Sequence, residues 1–104
     1  MHWDLMLQVA DVLETYRLEL PPERLQGQSG GSVTAVKIFD HPLKFLIYEG
    51  SVNKGKDSVQ TADAGTYQLL NESEGYKELQ LNGKVLKGKF TLIHTEGNKW
   101  ELRF

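Results

Sequence analysis

The sequence predicts an all-β fold, a small closed or partly open β-barrel of about eight short antiparallel strands with long loops. Three observations predict it. Apolar and polar side chains alternate with period two around residues 3–8 and 13–20, the period of a half-buried strand. β-Branched and aromatic residues recur about every ten positions between Gly, Asn and Asp punctuation, as they do in chains of short strands and turns. No stretch shows sustained apolar spacing at helical period. Closure follows from the number of strands, because it removes the exposed edges that so small a sheet would otherwise present.

The candidate strands are residues 3–8, 13–20, 33–39, 45–49, 58–61, 65–71, 76–82, 86–95 and 99–104. In the first, Trp3, Leu5 and Leu7 share one face while His2, Asp4, Met6 and Gln8 share the other. The second splits the same way, with Tyr16, Leu18 and Leu20 opposed to Thr15, Arg17 and Glu19. Pairing these two as a hairpin keeps the apolar faces together only when Asp4 lies opposite an odd-numbered residue, since a one-residue slip exchanges the faces. Asp4 is therefore expected opposite or diagonal to Arg17. Pro21-Pro22 ends the second strand, and residues 27–32 (Gly-Gln-Ser-Gly-Gly-Ser) are predicted as a loop. Residues 72–75 read as an acidic turn. Asn82-Gly83 predicts a tight hairpin and Glu96-Gly97-Asn98 a slightly longer one, so the last three strands should form a meander.

A chain of 104 residues is the size of one domain, spanning residues 1–104. The absence of cysteine removes disulfides, thiolate metal sites and thiol nucleophiles, leaving His, carboxylates and hydroxyls as the available chemistry, and fits a reducing cytoplasm. Apolar runs are far too short to span a bilayer and no basic, apolar leader is evident, so a cytoplasmic monomer without membrane contact is expected. The formal charge of −2 excludes a generic polyanion binder, which carries a basic excess. Any nucleic-acid contact must be local.

His2 and Asp4, two apart on one strand face, suit a single divalent ion through imidazole nitrogen and carboxylate oxygen. The alternative is that His2 is a terminal residue and Asp4 pairs with Arg17. His41, held out of helical geometry by Pro42, sits where a strand gives way to a turn and suits a general acid, a general base or a phosphate partner; the alternative is a histidine hydrogen-bonded at a loop base. His94 shares a face with Phe90 and Leu92 and is expected to be packed or partly buried. Lys84, Lys87, Lys89, Lys99 and Arg103 outnumber Glu96 and Glu101 at the C-terminal end; Lys87 and Lys89 form either a phosphate-tracking ridge or a solvated strand face.

Taken together, His2-Trp3-Asp4-Leu5, Asp40-His41-Pro42-Leu43 followed by Tyr48-Glu49-Gly50, Ala64-Gly65-Thr66-Tyr67, and residues 86–92 with Gly97-Asn98-Lys99-Trp100 resemble the 3′-phosphoesterase domain of bacterial DNA ligase D. The resemblance runs in order over nearly the whole chain. It implies a compact β-barrel that uses Mn2+, or another divalent ion such as Zn2+ or Co2+, to remove a 3′-phosphate or a 3′-terminal ribonucleotide from a DNA end or a DNA/RNA primer during repair. It implies metal ligation by His2 and Asp4 and a phosphate-facing catalytic role for His41, with a DNA ligase or polymerase completing repair in trans.

The chain departs from that pattern at Met6, where the family has an arginine, and at Phe45, where it has a tyrosine. No arginine stands in the strand before Asp40, and a further ligand histidine would fall upstream of Met1. Arg17 is the candidate local replacement for the lost phosphate-binding cations, because the hairpin register sets it beside Asp4. The alternative function is a catalytically weakened module with the same barrel that binds a DNA end or a ligase partner.

Overall fold

The computed structural model describes residues 2–25, 31–46, 50–52, 57–59 and 63–104. Seven antiparallel strands form one sheet: β1 (Trp3–Val9), β2 (Val12–Leu18), β3 (Ser32–Pro42), β6 (Gly65–Ser73), β7 (Tyr76–Gly83), β8 (Lys87–Glu96) and β9 (Lys99–Arg103), in the order β1-β2-β3-β9-β8-β7-β6. The sheet curls into a nearly closed barrel. Its two end strands are tied by side chains: the Tyr67 hydroxyl on β6 donates to the Gln8 carbonyl on β1 at 2.6 Å. The Lys77 ammonium on β7 meets Glu14 on β2 at 2.6 Å. β4 (Gly50–Val52) and β5 (Asp57–Val59) pair with each other outside this sheet.

Strand alternation sends one face of every strand to a shared interior. Leu7, Tyr16, Leu18, Ala35, Leu79, Leu81, Phe90, Leu92 and Leu102 form the core there, with Leu5, Val33 and Trp100 packed against it. Each fully buried leucine contributes about 2 kcal/mol of transfer free energy. Pro21-Pro22 does more than end a strand. Pro22 opens a single helical turn, α1 (Pro22–Leu25), a position where a missing N–H costs nothing. That turn drives Leu25, 1% exposed, into the core.

Two expectations are corrected. The predicted strand at 45–49 begins instead with a 3-10 turn over Leu43–Leu46, directly after Pro42; residues 47–49 lie outside the described residues, as does most of the predicted 27–32 loop. Asn82-Gly83 is not a two-residue turn. Asn82 pairs with Lys87, Gly83 pairs with Gly65 inside the sheet, and the chain reverses over residues 84–86. The reason is Asp63. Its Oδ1 accepts from the amides of Ala64, Lys84 and Val85 and its Oδ2 from that of Leu86, at 2.8–3.2 Å. A Cβ at Gly83 would lie 2.5 Å from Asp63 Oδ2, so this glycine serves close approach. The tight hairpin is the other one: Glu96 pairs with Lys99 around Gly97-Asn98, with Gly97 at φ 52°.

Partial burial raises the pKa of Asp63, but the four backbone amides outweigh it and hold the carboxyl below its ordinary 3.8. A depressed folded pKa gives stability that is present above the unfolded value and lost as pH falls through the folded one. Replacing Asp63 by alanine is expected to cost about 2 kcal/mol in urea unfolding at neutral pH, because two of the four amides are part-buried. The difference from wild type should shrink below pH 3.8. A neutral-pH difference under about 0.5 kcal/mol would show that water replaces the carboxylate.

Candidate functional site

The β1–β2 hairpin has the register expected from its faces: Asp4 lies opposite Arg17, Met6 opposite Thr15 and Gln8 opposite Leu13. Asp4 and Arg17 form a two-point pair, Nε to Oδ1 at 3.1 Å and Nη2 to Oδ2 at 3.4 Å. Such fork-on-carboxylate contacts are both charge-assisted and directional. Arg17 remains about 41% exposed in this pair, against 17% for Asp4, so the guanidinium keeps N–H groups toward solvent. His2 is exposed and precedes β1.

His41 reaches the same face through an irregularity in β3. Thr15 pairs with Ile38 and Arg17 with Val36, but Leu13 pairs with His41, so the register slips by one residue between Leu13 and Thr15. Upstream of this bulge, the odd-numbered residues of β3 face the interior, as buried Ala35 shows. Strict alternation would therefore send His41 inward. The extra residue at 39–40 reverses that and brings His41 onto the face of Asp4, Thr15 and Arg17, a re-aiming that bulges commonly perform beside functional sites.

Thr15, fully buried, fixes the ring. Its hydroxyl donates to the Leu13 carbonyl at 3.1 Å and so has only lone pairs to offer His41 Nδ1, 2.8 Å away. With its hydrogen on Leu13, the hydroxyl accepts from the Nδ1–H tautomer of His41, which presents Nε2 to the face. Phe39 stacks on the same imidazole, with centroids 4.9 Å apart and planes at 30°. Thr15 and Phe39 were not visible as site residues in the sequence, since their roles depend on the bulge.

The remaining candidates separate from this face. His94 is exposed rather than packed, its Nε2 2.7 Å from the Gly97 carbonyl and its ring 5.2 Å from Trp100; it keeps the register of Leu92, lying opposite Trp100, but near the end of β8, where the interior side opens into a cleft. A cleft of about 720 Å³ between Lys37, His94 and Trp100 is lined by none of His2, Asp4, Arg17 or His41. Lys89 is paired with Glu78 at 2.8 Å and Arg103 with Glu101 at 2.6 Å, which favours a solvated, ion-paired strand face over a phosphate ridge. Among the described residues no group of three or more His, Cys, Asp or Glu gathers to hold a metal ion. No helix among them is long and apolar enough to cross a membrane.

A family model described as the DNA Ligase D 3'-phosphoesterase domain matches residues 1–94, which contain every residue of this face. The chain belongs to that family. It is 28% identical over 114 residues to the multifunctional non-homologous end joining protein LigD of Mycolicibacterium smegmatis, covering 96% of this chain and 15% of that protein. The corresponding LigD protein of Mycobacterium tuberculosis is 27% identical over 106 residues, covering 95% of this chain and 14% of its own. The chain thus spans about one seventh of the length of these LigD relatives. In this chain the His-x-Asp and Asp-His-Pro segments are brought together by the β1–β2 and β2–β3 pairings.

Proposed function

We propose that this chain is a divalent-metal-dependent phosphoesterase that removes a 3′-phosphate or a 3′-terminal ribonucleotide from a nucleic-acid end during DNA repair. The observation that carries the reading is His41, turned by the β3 bulge and locked through Thr15 onto the face that holds Asp4 and Arg17. Family membership and relatives named for end joining support it.

On this reading the His41 Nε2–H donates to an oxygen of the scissile phosphate and offsets charge that develops as the ester bond breaks. Arg17 shares its guanidinium between Asp4 and a second phosphate oxygen, its half-exposed N–H groups being the donors. His2 and Asp4 would supply two ligands to a divalent ion: each Asp4 oxygen has two acceptor sites, and Arg17 takes one on each. Bound there, Mn2+ or a related ion would neutralise phosphate charge and activate water. A ligase or polymerase acting in trans would then use the 3′-hydroxyl.

The test is incubation with manganese and an end-labelled primer carrying a 3′-phosphate or one 3′-ribonucleotide. Loss of the phosphate or shortening by one nucleotide is the expected result. Arg17→Ala should raise KM about tenfold with little change in kcat; an unchanged KM would remove Arg17 from phosphate binding. A second reading has its own support, because Arg17 engages both Asp4 oxygens and Met6 puts a thioether opposite Thr15: a module that binds a DNA end or a ligase partner without turnover. Manganese binding by folded protein that leaves both substrates intact would favour it.

A further inference from the structure

Among the described residues, Phe39 is the most exposed large apolar side chain, at 76%, against 39–49% for Val9, Leu69 and Leu70. It is also fixed. One side of its ring rests on the His41 imidazole at 4.9 Å, at the bulge that aims that imidazole. An aromatic ring held still at the lip of a site, with most of its surface in water, presents a flat surface of defined position. Every nucleobase has a π-face that stacks on such a surface, whatever its sequence.

The charge distribution points the same way. The chain carries a net −2, and among the described residues Arg17, the cation on this face, is paired with Asp4 while Lys37 on the same strand as His41 is paired with Asp40 at 3.8 Å. Beyond the one phosphate oxygen given to Arg17, neutralising phosphates and releasing counterions therefore contributes little affinity here. A nucleic-acid end needs a different hold, and stacking supplies one that does not depend on salt.

We infer that Phe39 is the platform on which the terminal nucleobase of the processed 3′ end stacks, making it a positioning residue for the substrate. The inference rests on the phosphoesterase reading. His41 occupies one side of the Phe39 ring and a base would occupy the other, so the sugar would bridge from the base to a phosphate at the imidazole around the ring edge. Phe39 would then select nucleotide ends over other phosphate esters without selecting among bases.

The experiment compares 3′-phosphorylated oligonucleotides that end in an ordinary nucleotide or in an abasic one, by steady-state kinetics and by fluorescence anisotropy. Wild type should favour the base-bearing end about tenfold in KM and in binding. Phe39→Ala and Phe39→Leu should bring that ratio near one, while Phe39→Trp keeps it. The loss should be the same at low and high salt. Because the ratio is taken within each variant, any general damage to folding or to His41 cancels. An unchanged ratio in Phe39→Ala overturns the platform even where turnover is normal, so the phosphoesterase reading survives alone. Absence of turnover, with a binding preference that Phe39→Ala removes, sustains the platform and overturns the phosphoesterase reading instead. A ratio that Leu preserves overturns stacking in favour of plain apolar contact.

Discussion

Replacing His41 by alanine is expected to lower kcat for release of a 3′-phosphate by roughly 10²- to 10⁴-fold, the usual worth of one positioned acid or base, while the fold is kept. The expectation of a retained fold is physical: His41 is only half-buried and lies near the end of β3. Its hydrogen bond to Thr15 is a single contact near the strand end and contributes only about 1 kcal/mol. If the variant is as active as wild type, the bulge serves packing and the proposed chemistry fails with it.

Thr15 makes the same prediction sharper. Thr15→Val keeps the β-branched shape but removes the acceptor that holds Nδ1, so the imidazole loses its fixed tautomer and orientation without losing its ring. A fall of about tenfold in kcat, with KM little changed, is expected. Combined with His41→Ala it should add almost nothing, because residues that act through one group are non-additive. Additive losses would show that Thr15 acts on stability rather than on the imidazole.

What the sequence revealed of this face, and what it hid, follow from the same property of strands. The Asp4–Arg17 pairing was legible because both strands carry unbroken alternation and only one set of registers keeps Leu5, Leu7, Tyr16 and Leu18 together. The placement of His41 was not, since alternation from Ala35 puts it inside the barrel, and the extra residue that reverses it leaves no mark in residue type. Thr15 was read as a polar position on an outer face, yet it is fully buried there. The Asn82-Gly83 turn failed for a related reason: turn preferences are local, and a carboxylate twenty residues earlier in the chain, Asp63, offers the 84–86 amides a better arrangement. Gly97-Asn98, with no such competitor among the described residues, turns where its composition says it should.

Lys77→Ala is expected to be the most destabilising single change outside the apolar core, by about 2–3 kcal/mol, or a fall in Tm on the order of 10 °C. Lys77 sits on the interior side of β7 with only 15% of its side chain exposed, bonded to Glu14 at 2.6 Å and near Glu72 at 3.7 Å. Removing it leaves the largely buried Glu14 without its cation, with Glu72 nearby across the seam where the two ends of the sheet meet, so the desolvation of Glu14 is uncompensated. Among the described residues the Tyr67–Gln8 bond would still tie the ends. Burial lowers the pKa of Lys77, but the bond to Glu14 and the nearby negative charge outweigh it and raise it above 10.5. A raised folded pKa means that this stabilisation is fully present below the unfolded value and is lost as pH rises through the folded one. Wild type should therefore lose stability above about pH 10.5, and Lys77→Ala should lose less of it. The double change of Lys77 to Met with Glu14 to Gln, which removes charge but keeps volume, should recover more than half of the loss, since a well-packed neutral pair in a barrel interior is at least as stable as an ionic one. If Lys77→Ala alone unfolds within 0.5 kcal/mol of wild type, the seam is held by the backbone and the ion pair is incidental.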